Sequence, residues 1–144
     1  MTSPLVSIII PTFNREKQLE RALNSVISQS YTNWEACIID NNSSDGSILL
    51  INSYKDSRLK IYMIKNNGVI AASRNLGVQN SKGKYLAFLD SDDWWSSRKL
   101  EESVKFLEKE DVSVIYHDMY IINKNNQKFF FKKTKSRDLY RPIF

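Results

Sequence analysis

The chain predicts an α/β fold with a mostly parallel central sheet flanked by helices. Three observations carry that expectation. Short β-branched or apolar runs recur along the chain, stretches with helical apolar spacing separate them, and successive runs start about 25 to 30 residues apart, the repeat of a βαβ unit. Crossovers between parallel strands are expected to be right-handed.

Val6-Ser-Ile-Ile-Ile10, closed by Pro11, reads as a strand buried on both faces. Leu19, Ala22, Leu23, Val26 and Ile27 then recur at helical spacing, with Asn14 as the expected N-cap. Trp34 to Asp40 is the second strand, and the polar turn Asn41-Asn42-Ser43-Ser44-Asp45-Gly46 leads to a helix around Ser47 to Tyr54. Leu59 to Lys65 predicts a third strand with Lys60, Tyr62 and Ile64 facing outward, and Gly68 to Asn80 a short helix. Tyr85 to Asp90 is the fourth strand, Arg98 to Lys109 an amphipathic helix on Leu100, Val104 and Leu107, and Val112 to Tyr116 a fifth strand. Beyond Asp118 the pattern loosens into an expected hairpin, Tyr120 to Phe131 around Asn125-Asn126, and a charged end.

Composition excludes several classes. With 42% hydrophobic residues and only four Gly and three Pro in 144 residues, the chain is neither disordered throughout nor collagen-like. Its one cysteine, Cys37, rules out an intrachain disulfide framework and a multi-cysteine zinc cluster, and mid-strand it reads as a small core residue. The longest apolar run near the N-terminus, Val6 to Pro11, is too short to span a bilayer and has no basic flank, so the expected location is cytoplasmic.

The formal charge of +5 is unevenly placed. Residues 123–144 hold seven bases (Lys124, Lys128, Lys132, Lys133, Lys135, Arg137, Arg141) against Asp138, a net +6, which leaves residues 1–122 at −1. A nucleic-acid-binding domain spreads its bases over a face, so no nucleic-acid partner is expected. The expected organisation is a binding domain over 1–122 and a basic segment over 123–144. That segment, with Phe129-Phe130-Phe131-Lys132-Lys133, is a candidate contact for an anionic membrane at the inner face or for a second copy; the plainer reading, favoured by its shortness, is a hairpin whose aromatics pack on a sheet.

In open α/β sheets ligands collect at the carboxyl ends of the strands. Here those ends carry Pro11-Thr12-Phe13-Asn14-Arg15, Asp40-Asn41-Asn42, Asn67-Gly68 with Arg74 in the following helix, and Asp90-Ser91-Asp92-Asp93-Trp94. Asp90, Asp92 and Asp93 repel one another, and a hard ion such as Mg²⁺ or Mn²⁺ shared with substrate phosphates removes that cost; a turn with an N-cap aspartate is the alternative. Asp40 suits a base N–H or a ribose hydroxyl, or equally the turn it opens. Arg74 among Ala71, Ala72 and Ser73 suits a diphosphate, or a solvated helix face. His117 has no Ser or Cys at triad-like positions, and neither G-x-G-x-x-G nor a P-loop sequence occurs.

Four segments in order, Val6-Ser-Ile-Ile-Ile-Pro-Thr-Phe-Asn-Arg15, Ile38-Ile-Asp-Asn-Asn-Ser-Ser-Asp-Gly46, Asn67-Gly-Val-Ile-Ala-Ala-Ser-Arg-Asn-Leu-Gly77 and Gly83-Lys-Tyr-Leu-Ala-Phe-Leu-Asp-Ser-Asp-Asp93, resemble glycosyltransferase family 2 over about residues 5–117. The resemblance implies a Rossmann-like GT-A fold that binds a nucleoside-diphosphate sugar, with UDP as the expected nucleotide. It implies transfer with inversion to a glycan, lipid-linked or other acceptor, as in bacterial surface polysaccharide synthesis. On that pattern Pro11, Thr12 and Phe13 line the nucleoside pocket, Asp40 bonds the base, Arg74 faces the diphosphate, and Asp90 lies near the ribose. Asp90 and Asp92 are the Asp-x-Asp motif holding Mn²⁺ or Mg²⁺, Asp92 as principal ligand; Asn67, Gly68 and Ser91, in the same strand-end loops, complete the expected nucleotide-binding set. Two departures stand out: Asp40-Asn41 replaces the family's frequent pair of acids, and nothing after Asp118 resembles its Glu-Asp base motif. No catalytic base is assigned. A donor-binding portion of a larger enzyme, or a nucleotide-sugar-binding module without turnover, is therefore the alternative expectation.

Overall fold

The computed structural model describes residues 3–110, 112–117, 119–123, 125 and 127–131. The chain divides into two compact units, Met1–Glu101 and Glu102–Phe144. The first unit contains β1 (Val6–Thr12), α1 (Glu16–Ile27), β2 (Trp34–Asp40), α2 (Ser47–Ser53), β3 (Leu59–Met63), α3 (Ile70–Asn80) and β4 (Tyr85–Phe88); α4 (Lys99–Glu110) crosses the division. The second also holds β5 (Met119–Ile122) and β6 (Lys128–Phe131).

Four parallel strands form the first unit's sheet in the order β3-β2-β1-β4. The inner strands β1 and β2 are buried along their whole length, which is why they read as mostly apolar runs, interrupted by Ser7 and Glu35, rather than alternating ones. On one face Gly77 of α3 brings its backbone against Ile9 and Ile39, and Leu76, Tyr62 and Ile64 pack around Ile9, Cys37 and Ile39. Tyr62 and Ile64 thus join a core cluster instead of facing outward as alternation suggested. The opposite face carries the fully buried Ile8, Ile10 and Ile38, and α1 buries Leu19, Ala22, Leu23 and Val26. Parallel connections place α1 and α2 on that second face.

A Cβ at Gly77 would stand 2.6 Å from Ile9 Cγ2 and 2.7 Å from Ile39 Cδ1. Gly77→Ala is therefore expected to destabilise the first unit by about 1–2 kcal/mol, overpacking outweighing the gain in helix propensity. A lower midpoint in urea at unchanged slope is the measurement.

β1 runs two residues further than its sequence suggested, through Pro11 to Thr12. Ile9 accepts from Leu89 N on the β4 side and Thr12 from Asn41 N on the β2 side, so the nitrogen of Pro11 faces the β4 side. β4 ends at Phe88, two residues short of expectation, so no ladder donor is needed there.

Asn14 does not cap α1 with its side chain; it takes a left-handed φ of 48° and its Oδ1 accepts from Ser44 N at 2.8 Å. The helix start is satisfied from another loop: Glu16 N donates to Asp45 Oδ2 and Ser47 N to Asp45 Oδ1, each at 3.0 Å. The neighbouring Ser47 side chain foremost, and then these two backbone bonds, hold the carboxyl of Asp45 below its ordinary value.

In the second unit the hairpin is present, Met119↔Phe131 to Ile122↔Lys128, with Asn123 Oδ1 accepting from the backbone of Asn125 and Gln127 at 3.0 Å. The expected fifth strand is not: residues 112–117 adopt no strand, and Val114 and Tyr116 are exposed. β-propensity records fit against a neighbouring strand, and among the described residues this stretch has none. The charged end beyond Phe131 lies outside the described residues. No helix among the described residues is long and apolar enough to cross a membrane.

Candidate nucleotide site

From β1 the chain moves outward one way to β2 and β3, then returns through α3 to β4 on the other side of β1. The sheet therefore has its topological switch point between β1 and β4, where connections diverge to opposite faces and leave a crevice at the strand ends. A cleft of about 370 Å³ occupies that end. Pro11, Thr12, Phe13 and Arg15 after β1, Asn41 after β2, Asn66, Gly68, Ile70 and Ser73 at the start of α3, and Asp90, Ser91 and Asp92 after β4 line it.

The turn into α3 is built locally. Asn66 N donates to Asn41 Oδ1 and Gly68 N to Asn66 Oδ1, while Asn66 Nδ2 reaches Ser73 Oγ at 2.7 Å. Asn67 and Gly68 take φ of 52° and 83°, a left-handed pair that asparagine and glycine accept at least cost.

The acidic loop is held against α1. Arg21, Ser25 and Gln29 recur at four-residue spacing and bond the chain after β4: Arg21 Nη2 to Asp92 O at 2.8 Å, Ser25 Oγ accepting from Trp95 N at 3.1 Å, and Gln29 Nε2 to Ser96 O at 2.7 Å. Arg21 also stacks 3.7 Å over the Trp94 ring. Within the loop Asp93 N donates to Asp90 O, Arg74 Nη2 pairs with Asp90 Oδ1 at 2.7 Å, and Arg15 Nη1 stands 3.5 Å from Asp92 Oδ2. Asp93 is exposed at its tip, yet desolvation first, then the charges of Asp92 and Asp90, push its carboxyl up. Three carboxylates and three guanidiniums thus meet at one end of the sheet.

Seven of the ten residues expected from sequence line the cleft: Pro11, Thr12, Phe13, Gly68, Asp90, Ser91 and Asp92. The other three do not. Asp40 is wholly buried, its Oδ2 accepting from Ser43 N at 2.7 Å; Asn67 is exposed in its turn; Arg74 adjoins the cleft only through Asp90. Thr12 Oγ1, Asp40 Oδ1 and Arg74 Nε are buried without a hydrogen-bond partner. Unsatisfied polar atoms are uncommon in folded proteins, and at a strand-end cleft they suit a polar ligand. Asn66 and Ser73 were missed from sequence, although an asparagine two residues before a glycine, and a serine three residues after Ile70 in the same helix, were readable signals.

Among the described residues no group of three or more His, Cys, Asp or Glu is arranged to hold a metal. Asp90 and Asp92 are half-exposed carboxylates on one cleft. That donor set fits Mg²⁺ or Mn²⁺, which bind through one or two carboxylates together with phosphate oxygens and water.

Residues 7–143 match the family model described as Glycosyl transferase family 2. The chain belongs to glycosyltransferase family 2. It is 36% identical over 126 residues to the Escherichia coli UDP-Glc:alpha-D-GlcNAc-diphosphoundecaprenol beta-1,3-glucosyltransferase WfgD, covering 88% of this chain and 50% of that protein. The Escherichia coli UDP-Glc:alpha-D-GlcNAc-diphosphoundecaprenol beta-1,3-glucosyltransferase WfaP is 42% identical over 119 residues, covering 81% of this chain and 47% of the relative. The crystal structure of Staphylococcus aureus TarS 1-349 in complex with UDP superposes with a TM-score of 0.70 at 27% identity, over 74% of this chain and 32% of that one. The fold of this family 2 chain is GT-A, and it spans about half the length of the curated relatives it matches.

Proposed function

We propose that this family 2 chain is the donor-binding part of a metal-dependent glycosyltransferase that uses a UDP-sugar and a lipid-linked acceptor in surface polysaccharide synthesis. The observation that carries the reading is the cleft at the β1/β4 switch point, where Thr12, Asp90, Ser91 and Asp92 converge. The relatives WfgD and WfaP, whose names specify UDP-Glc and a diphosphoundecaprenol-linked sugar, and the UDP complex of TarS support the choice of nucleotide and acceptor class.

In this reading Pro11, Thr12 and Phe13 border the nucleoside, and Asp40, next to the cleft-lining Asn41, is buried at the end of β2. Its partnerless Oδ1 is an acceptor of the kind a base N–H requires. Asn67 and Gly68 shape the turn beside the nucleotide, Ser91 offers a hydroxyl between the two carboxylates, and Arg74 supplies positive charge from α3. Asp90 and Asp92 would hold the divalent ion. The chemistry such an ion supplies when bound is Lewis-acid neutralisation of the departing diphosphate. In this reading the basic segment 123–144 belongs to the acceptor-side region and is a candidate for peripheral membrane or homo-oligomer contact.

Calorimetric titration of the folded chain with UDP, with and without Mn²⁺, tests the reading. UDP is expected to bind more tightly with Mn²⁺, and Asp92→Asn is expected to remove most of that increment while leaving the melting temperature within a few degrees, since the side chain is half-exposed. Absence of UDP binding in both conditions by a folded sample overturns it.

A further inference from the structure

Asp92 is held twice, and the two holds differ in kind. Its main-chain carbonyl accepts from Arg21 Nη2 at 2.8 Å, and Arg21 is itself fixed by stacking 3.7 Å over Trp94. A planar guanidinium used in both ways locks the backbone of the loop. The carboxylate of Asp92, by contrast, meets Arg15 Nη1 at 3.5 Å, the outer limit of a hydrogen bond, with the two side chains 48% and 53% exposed. A single long contact between half-exposed groups is easily exchanged.

Arg15 can exchange partners without disturbing what surrounds it. Its carbonyl accepts from Leu19 N at 2.8 Å and the next residue, Glu16, is bound to Asp45, so the root of the side chain is anchored. Its side chain makes no capping bond to α1. It also lines the same cleft as Asp90 and Asp92.

A divalent cation and a guanidinium on one carboxylate repel each other across a few ångströms, so each weakens the hold of the other. A cation taken up by Asp92 therefore competes with Arg15 and frees a positive charge beside the cleft. A diphosphate brings the negative charge that this guanidinium would next satisfy, in the planar two-donor manner suited to phosphate oxygens.

We propose that Arg15 is an exchangeable counter-ion, neutralising the Asp92 carboxylate in one arrangement and the diphosphate of a bound nucleotide in the other. It is a binding and positioning residue of the nucleotide site, and the proposal rests on the nucleotide-binding reading above. Arg21 makes the exchange possible, since it keeps the Asp92 backbone in place whichever partner the carboxylate takes.

The signature is a pair of opposite effects from one substitution. In Arg15→Ala, Mn²⁺ alone, followed by the loss of its free-ion electron paramagnetic resonance signal, is expected to bind about two- to fivefold more tightly because its competitor is gone. UDP at saturating Mn²⁺, measured calorimetrically, is expected to bind about tenfold more weakly for want of a charged phosphate donor. Arg15→Lys, which keeps the charge but not the planar fork, should show smaller changes of the same two signs, and a thermal melt verifies that each variant is folded. In an Asp92→Asn background the gain in Mn²⁺ binding should vanish. A variant that weakens both ligands, strengthens both or alters neither overturns the proposal, because a merely structural role for Arg15 cannot produce opposite signs. Folded wild-type chain that takes up Mn²⁺ but no UDP overturns the nucleotide reading and the diphosphate half of the proposal, while the Mn²⁺ titration still decides the competition at Asp92.

Discussion

Glu35→Ala is expected to lower the stability of the first unit by about 2–3 kcal/mol, a fall of about 10–20 °C in melting temperature for a unit of this size. Glu35 is 4% exposed at the start of β2, so its carboxylate depends on protein partners. Ser7 Oγ and Lys82 N each donate to Oε1 at 2.7 Å, and Lys60 Nζ pairs with Oε2. Ser7 Oγ in turn accepts from Gly83 N at 2.8 Å, so one carboxylate joins β1, β2, β3 and the turn before β4. Removing it leaves Lys82 N with only its longer, 3.2 Å bond to Ser7 Oγ and takes from Lys60 the carboxylate it pairs with. Breaking a fully buried pair costs about 3–5 kcal/mol, and the smaller figure here reflects Lys60, whose side chain is 34% exposed.

The same cluster sets a pH dependence. Burial pushes the Glu35 carboxyl up, but hydrogen bonds from Lys60, Ser7 and Lys82 outweigh it and hold the group below its ordinary value of 4.5. The unfolded chain therefore binds this proton more readily than the folded one. Stability from Glu35 is fully present above pH 4.5 and is lost as pH falls through the lowered folded value. Its partner runs the other way: Glu35 raises Lys60 above 10.5, so that contribution is complete below pH 10.5 and is lost as pH rises through the folded value. Thermal melts of wild type and Glu35→Gln at pH 7 and pH 3.5 check the first sign. The gap between them should narrow in acid, and an unchanged gap would show that the pair contributes nothing.

Arg74→Ala is expected to weaken UDP binding by about tenfold to a hundredfold, with little change in stability. The Arg74–Asp90 pair is short, 2.7 Å, but its side chains are 36% and 44% exposed, so the pair adds little to folding. Its value lies in the charge balance of the site. Without it, Asp90 stands beside Asp92 and Asp93 with no direct cationic partner, and any diphosphate entering the cleft meets a more negative field. The buried Arg74 Nε–H, which has no acceptor, is a further donor the site would lose. Charge-assisted contacts to phosphate contribute about 1.5–3 kcal/mol each, which sets the expected range. Arg74→Lys should recover only part of the affinity, since a lysine provides one charge without the planar fork. Calorimetry beside a melting curve separates the effects, and a melting loss with unchanged affinity would assign Arg74 to the fold.

Much of the parallel sheet was legible because its signal is local. Val6 to Ile10 and Trp34 to Asp40 are mostly apolar runs, broken only by Ser7 and Glu35 before the terminal Asp40, and strands covered on both faces read this way. The α1 stripe was legible for the same reason, since five apolar positions at helical spacing leave one solution. The strand-end rule then brought Asp90, Ser91, Asp92 and Pro11 to Phe13 to one place with no coordinates at all. It failed where contacts between distant segments decide the outcome. Tyr62 and Ile64 alternate like surface residues but pack into the cluster of Ile9, Cys37 and Ile39, where Leu76 of α3 also packs. Val112 to Tyr116 has the composition of a strand and forms none.

The sequence by itself determined the α/β class, the order of the first four strands and helices, the family, and which loops carry carboxylates. The class, the order and the carboxylate loops follow from composition and period, which each segment states for itself, and the family from four ordered motifs that resemble it. The tertiary structure alone decided that Asp45 rather than Asn14 satisfies the start of α1, that Asp40 is wholly buried, and that Arg15, Arg21 and Arg74 converge on three carboxylates from two helices. Partnership between residues some 15 to 80 positions apart depends on where the sheet sets each loop. No local pattern in the sequence encodes that distance, so the charge arrangement of the site became visible only with the fold.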